Sequence, residues 1–113
     1  MFLISVKYLR GRVFVHHEGR MSANSDCDGW EFLDGWVESS ERQELFQSNS
    51  VTGVFNAIRI SNSGSVKIQN DLLGQRPLFI CYAGGCLRIS SEFWLLAKEC
   101  GFSVDYDAVS QLA

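Results

Sequence analysis

The side chains of this 113-residue chain best suited to nucleophilic or metal chemistry are Cys27, Cys81, Cys86 and Cys100, with His16 and His17. Their spacing supports neither chemistry. No two cysteines stand as C-x-x-C, the spacing of zinc and thioredoxin-like sites. His16 and His17 are adjacent, so on a strand they face opposite sides and cannot share one metal. No metal ligands are assigned. A reactive cysteine needs a base or a positive charge nearby. Cys81 and Cys86 fall in strand-like runs, where a thiol packs as a small hydrophobe. Cys27 would become an N-terminal nucleophile only by cleavage after Asp26, which would remove the first hairpin. Cys81 and Cys86 flank Tyr82-Ala83-Gly84-Gly85. If that is a turn, the two thiols lie near each other across a hairpin. Without a secretory signal, reduced thiols are expected.

A second group of candidates lies in Asp71-Leu72-Leu73-Gly74-Gln75-Arg76-Pro77. Asp71 accepts backbone hydrogen bonds in the turn or pairs with Arg76. Gly74 supplies a positive φ. Pro77 fixes the start of an edge or first-strand position. Glu92 works with a helix N-terminus. These roles build a fold more readily than a chemistry. Trp30, Trp36 and Trp94 read as core or interface residues.

The elements that must position these residues follow from pattern. Residues 2–8 and 12–17 read as strands around a turn at 9–11. Residues 18–29 are polar and rich in Gly, Asn and Asp, which predicts a loop. The apolar cluster 30–37 has helix-like spacing at 32, 33 and 36, weakened by Gly35. Residues 41–46 predict a short helix and 47–50 a loop. Strands follow at 51–60 and 66–70 around a tight turn at 62–65. Residues 71–77 form an irregular connection. Strands at 78–82 and 86–89 flank a turn at 83–85. Ser90-Ser91-Glu92 predicts a capped helix N-terminus, with the helix over 92–100 and Gly101 past its end. Asp105 caps a last helix, 106–113. The predicted class is α+β: antiparallel sheets in a meander of hairpins with a few flanking helices. With no linker or repeat, residues 1–113 read as a single domain, the usual size being about 100–150 residues.

Composition narrows the function. Hydrophobic residues make up 46% and charged residues 20%, which excludes a disordered chain. No stretch approaches the ~20 apolar residues of a membrane span, and no signal peptide is evident. The chain is expected to be cytoplasmic, without membrane contact. A net charge of −3 argues against nucleic acid. The charge is uneven: residues 1–20 carry +3 and residues 21–50 carry −6. The acidic middle reads as a solvated face or as a docking surface for a basic partner.

Four ordered blocks add a resemblance. They are Gly53-Val54-Phe55-Asn56, the stretch Asp71 to Phe79, Ser91-Glu92 with Phe93-Trp94-Leu95-Leu96, and Asp105 to Leu112. Together they resemble the amidotransferase half of the asparagine synthetase family, over a little more than half the chain. The motif residues that carry the likeness are Gly53, Phe55, Asp71, Gly74, Arg76, Pro77, Ser91 and Glu92. The resemblance implies an N-terminal-nucleophile, glutaminase-like fold in minimal form. In that family the first domain hydrolyses glutamine with a cysteine at position 2. A second domain uses ATP to adenylate a carboxylate, which ammonia then converts to an amide.

The chain departs from the family at the reacting position. Residue 2 is Phe2, which has no nucleophilic atom, and its bulk disfavours removal of Met1. The first 50 residues lack the family's arginine-containing strand and its asparagine–glycine–glutamate segment. No pyrophosphatase-type phosphate loop occurs. No catalytic residue is assigned. The resemblance thus implies a catalytically degenerate glutaminase-like domain, acting as scaffold or docking module. ATP and magnesium belong only to a missing synthetase half, in cis or in trans. The alternative is a stand-alone protein- or peptide-binding module without ATP-linked chemistry. In either case an open sheet edge is expected to be covered by the missing half or by a second copy, as a homodimer.

Overall fold

The computed structural model describes residues 1–48, 50–71 and 73–100. In chain order the strands are β1 (Phe2–Leu9), β2 (Arg12–Gly19), β3 (Ser22–Asp26), β4 (Gly29–Val37), β5 (Gly53–Ser61), β6 (Val66–Asn70), β7 (Phe79–Ala83) and β8 (Cys86–Ser90). A 3-10 turn spans Ser39–Glu44, and one helix, α1, spans Phe93–Cys100. The chain divides into two compact units, residues 1–20 with 77–113 and residues 21–76.

The first unit holds one antiparallel sheet in the order β2-β1-β8-β7. Apolar and β-branched residues fill β1, and Phe2, Leu3, Ile4 and Val6 are buried together with Ile89 of β8. The turn between β1 and β2 is Arg10-Gly11, both at positive φ (53° and 75°). That is the sign pattern of a type I′ connection, whose twist suits a tight hairpin. Gly84 and Gly85 serve the β7–β8 hairpin in the same way (60° and 74°). Helix α1 packs against β7 and β8, with the Phe93 ring 6.1 Å from that of Phe79.

The second unit holds the other antiparallel sheet, β3-β4-β5-β6. Leu33, Phe55 and Ala57 form its apolar cluster with Leu45 and Val51, and Val37 and Phe46 pack against them. Cys27-Asp28 closes the β3–β4 hairpin: Asp26 Oδ1 accepts the N–H groups of Asp28 (2.8 Å) and Gly29 (3.1 Å). A short polar side chain thus satisfies the turn's backbone donors locally.

The α+β, N-terminal-nucleophile expectation is corrected by this architecture. The protein is mostly antiparallel β, with two four-stranded sheets. Among the described residues its only helices are α1 and the 3-10 turn. The difference arises chiefly between residues 18 and 46. In the predicted loop at 18–29, residues 18 and 19 end β2 and β3 begins at Ser22; with the helix-like cluster at 30–37, which lies in β4, the rest forms the β3–β4 hairpin. Gly35 is the physical reason that β4 suits a strand. It sits opposite Phe55 at φ 100°, and a Cβ there would overlap the Val54 carbonyl oxygen. The predicted helix at 41–46 is the tighter 3-10 turn. Leu45 leaves it in an extended conformation and is buried. Elsewhere the β1–β2, β5–β6 and β7–β8 hairpins match their sequence signals. Gly101, Asp105 and the helix expected at 106–113 lie outside the described residues, as do Asn49 and Leu72.

Candidate functional site

In the second unit, the first two motif blocks converge on the start of β5. Gly53 opens that strand opposite Val37, and Phe55 is completely buried. Asp71, itself largely buried, clamps Phe55 from both sides. Its Oδ1 accepts the Phe55 N–H at 3.1 Å, and its own N–H donates to the Phe55 carbonyl at 3.2 Å. Asp71 also organises the connection after it. Its carbonyl accepts the Gly74 N–H (3.0 Å), and Oδ2 accepts the Gln75 N–H (3.4 Å). Gly74 lies at φ 57°, in the left-handed region.

Arg76 does not pair with Asp71. Its guanidinium bonds Asp34 on β4 at 3.1 Å. Asp34 is 7% exposed and stands opposite Asn56 on β5. Asn56 in turn donates through Nδ2 to the Arg76 carbonyl at 3.3 Å. The Asn56 side chain is completely buried, and its Oδ1 has no hydrogen-bond partner among the described residues. Asp34 and Asn56 thus join this cluster although Asp34 was not expected there. Its signal is visible only once 30–37 is taken as a strand alternating against 53–61. The cluster holds one cation, two carboxylates and one amide. The carboxylates accept backbone amides and a guanidinium, a pattern that fixes main chain.

In the first unit, the third block meets residue 2. Phe2 is 1% exposed, and its N–H donates to Ser91 Oγ at 3.0 Å. Its carbonyl accepts from Ser90 Oγ at 2.7 Å and from the Ser91 N–H at 3.4 Å. Ser90 Oγ also accepts the Glu92 N–H at 3.0 Å. The serine expected to cap the helix therefore holds the start of β1 instead. Glu92 precedes α1 and contributes its carbonyl, which accepts the Leu95 N–H at 3.2 Å. Pro77 is exposed just before β7. Residue 2 thus has an apolar side chain inside the protein, and its backbone N–H is spent on Ser91.

The other candidates stand apart in kind. Cys27 is exposed at the β3–β4 turn, and Cys81 and Cys86 are half-buried in β7 and β8. The β7–β8 hairpin places Ala83, not Cys81, opposite Cys86, while Cys81 faces Arg88. The two thiols are two residues out of register, and neither is in a disulfide. His16 and His17 take opposite faces of β2. Among the described residues no group of three or more His, Cys, Asp and Glu side chains converges as a metal site. A cleft of about 250 Å³ opens beside Asp26, Trp30, Glu31 and Arg59. Two of its charges are paired: Arg59 bonds Glu31 at 3.0 Å, and its guanidinium lies 4.6 Å above the Phe46 ring.

No family model, no curated protein and no solved structure matches this chain. The likeness to the asparagine synthetase family therefore rests on the motif residues alone. Among the described residues no helix is long and apolar enough to cross a membrane.

Proposed function

We propose that this chain is a non-catalytic scaffold or docking domain of an asparagine-synthetase-like enzyme that forms amides or macrolactams with ATP. It acts in the cytoplasm beside a synthetase half, in cis or in trans, and itself takes no ATP or magnesium. The observation that carries this reading is the burial of Phe2. A glutaminase of this type needs a thiol and a free α-amine at residue 2. Here that residue is an apolar side chain in the interior, with its N–H bonded to Ser91.

The motif residues support the same reading. Asp71 is occupied with Phe55 and the following turn, and Arg76 with Asp34. They hold a strand and a turn in place, and their charged groups are engaged in doing so. The reading relies on these residues and not on a helix-flanked fold. It is tested by two assays on the intact chain: ammonia release from glutamine, and calorimetric titration with an ATP-pyrophosphatase-type synthetase half. Background hydrolysis with saturable binding is the expected result. Glutamine turnover overturns it. Absence of binding favours the stand-alone binding module instead.

A further inference from the structure

The sheet of the first unit carries a cavity of about 410 Å³, lined chiefly by Ser5, Lys7, Phe14, His16, Cys86 and Arg88. Cavities of this order hold small molecules. Register explains why these side chains meet. Across β2, β1 and β8, Phe14, Lys7 and Cys86 stand in one row, and His16, Ser5 and Arg88 in the next. Residues two apart on a strand share a face, so both rows point the same way. Directly opposed side chains lie about 5 Å apart at Cβ. Lys7, Phe14 and His16 are exposed, whereas Ser5 and Cys86 are half-buried. The two short side chains therefore make a floor, and the longer ones a rim.

The polar groups at this cavity are of one kind. The Lys7 ammonium only donates hydrogen bonds, and the Ser5 hydroxyl and His16 imidazole each carry a donor. No carboxylate lines the cavity. Glu18, on the same face of β2, stands opposite Leu3, one row beyond Ser5. Among the described residues Lys7 and His16 enter no ion pair, while Arg59 and Arg76 of the second unit are each matched by an acid. Arg88 forms one wall, and no ligand contact is assigned to it.

Such a set selects an anion and its shape. Three separate donors around a floor suit the three terminal oxygens of a phosphate ester. A carboxylate has two oxygens in one plane and is best met by the fork of an arginine, whereas lysine binds phosphate as a point charge. Phe14, opposite Lys7, adds an aromatic surface on which a ring can pack.

We propose that this cavity binds a small phosphate monoester with an aromatic body. Lys7, Ser5 and His16 donate to the phosphate oxygens, and the Phe14 ring packs on the body. None of the motif residues takes part, so the site stands independently of the proposed function.

Titration of the intact chain with phenyl phosphate tests it, followed by amide shifts in nitrogen-15 NMR spectra. Inorganic phosphate, benzoate and a tyrosine-phosphorylated peptide are the comparisons. Shifts centred on Ser5, Lys7, His16 and Cys86 are expected, with benzoate and inorganic phosphate each binding at least about tenfold more weakly. Lys7→Ala and His16→Ala should each weaken phenyl phosphate about tenfold, the loss of one charge-assisted hydrogen bond. Phe14→Ala should weaken phenyl phosphate and leave inorganic phosphate unchanged. All three side chains are exposed, so the fold is expected to persist, and circular dichroism checks that. Absence of shifts, shifts centred elsewhere, or an affinity indifferent to Lys7→Ala overturns the inference. So does benzoate or inorganic phosphate binding as tightly as phenyl phosphate. Tighter binding of the phosphorylated peptide would assign the cavity to a protein and overturn the small-molecule reading.

Discussion

Asp71 is the residue on which the motif cluster turns, since one carboxylate and its own backbone hold Phe55, Gly74 and Gln75. Its substitution separates charge from hydrogen bonding. Asp71→Ala leaves the buried Phe55 N–H without an acceptor and should cost about 2 kcal/mol, read by urea denaturation. Asp71→Asn keeps an acceptor at Oδ1 and should cost less than half as much. Equal losses would mean that the carboxylate charge, not its geometry, matters here. Phe2 permits a second test. Phe2→Cys supplies the missing thiol but removes a buried ring, and should cost about 3 kcal/mol in thermal unfolding. Ammonia release from glutamine should stay at background, because the Asp71 carboxylate is bonded to backbone amides and the Arg76 guanidinium to Asp34. Turnover by this variant would contradict the scaffold reading. At this scale the sequence was partly legible. Asp71 was readable as a turn residue that accepts backbone hydrogen bonds. Its partners were not, because Arg76 reaches Asp34, 42 residues away in sequence.

At the scale of elements, glycine placement carries the contrast between what was and was not legible. The Arg10-Gly11 turn is a local signal, bounded by two apolar strands, and the hairpin forms there as expected. Gly35 reads as a helix breaker within a helix-like cluster. The structure uses it for close approach to β5, a non-local reason invisible in residues 30–37 alone. The two positions predict different responses to one substitution. At Gly11 a Cβ meets nothing within 4 Å, so Gly11→Ala should cost only the backbone strain, about 1 kcal/mol. At Gly35 the Cβ overlaps the Val54 carbonyl oxygen, so Gly35→Ala must part β4 from β5. A loss of more than about 3 kcal/mol is expected in chemical denaturation. Comparable losses at both sites would argue against the β4–β5 register. The 3-10 turn shows the same limit of local reading. Its charged residues suit a helix, but Leu45 is drawn into the cluster around Phe55, and burial of that side chain outweighs another helical turn.

For the whole molecule, the combination to explain is a set of motif residues without the reacting group they would serve. Those residues persist as connections within each sheet unit: Asp71 and Arg76 in one, Ser91 in the other. Residue 2 meanwhile lies buried and apolar. That is why the proposed role is docking and not hydrolysis. The most direct test is to isolate the native protein from its source cells with an antibody against this domain, then size it and sequence whatever is fused or bound to it. A synthetase half carrying an ATP-pyrophosphatase phosphate loop, on the same chain or as a stoichiometric partner, is the predicted result. A free chain of 12.7 kDa with no such partner would contradict it.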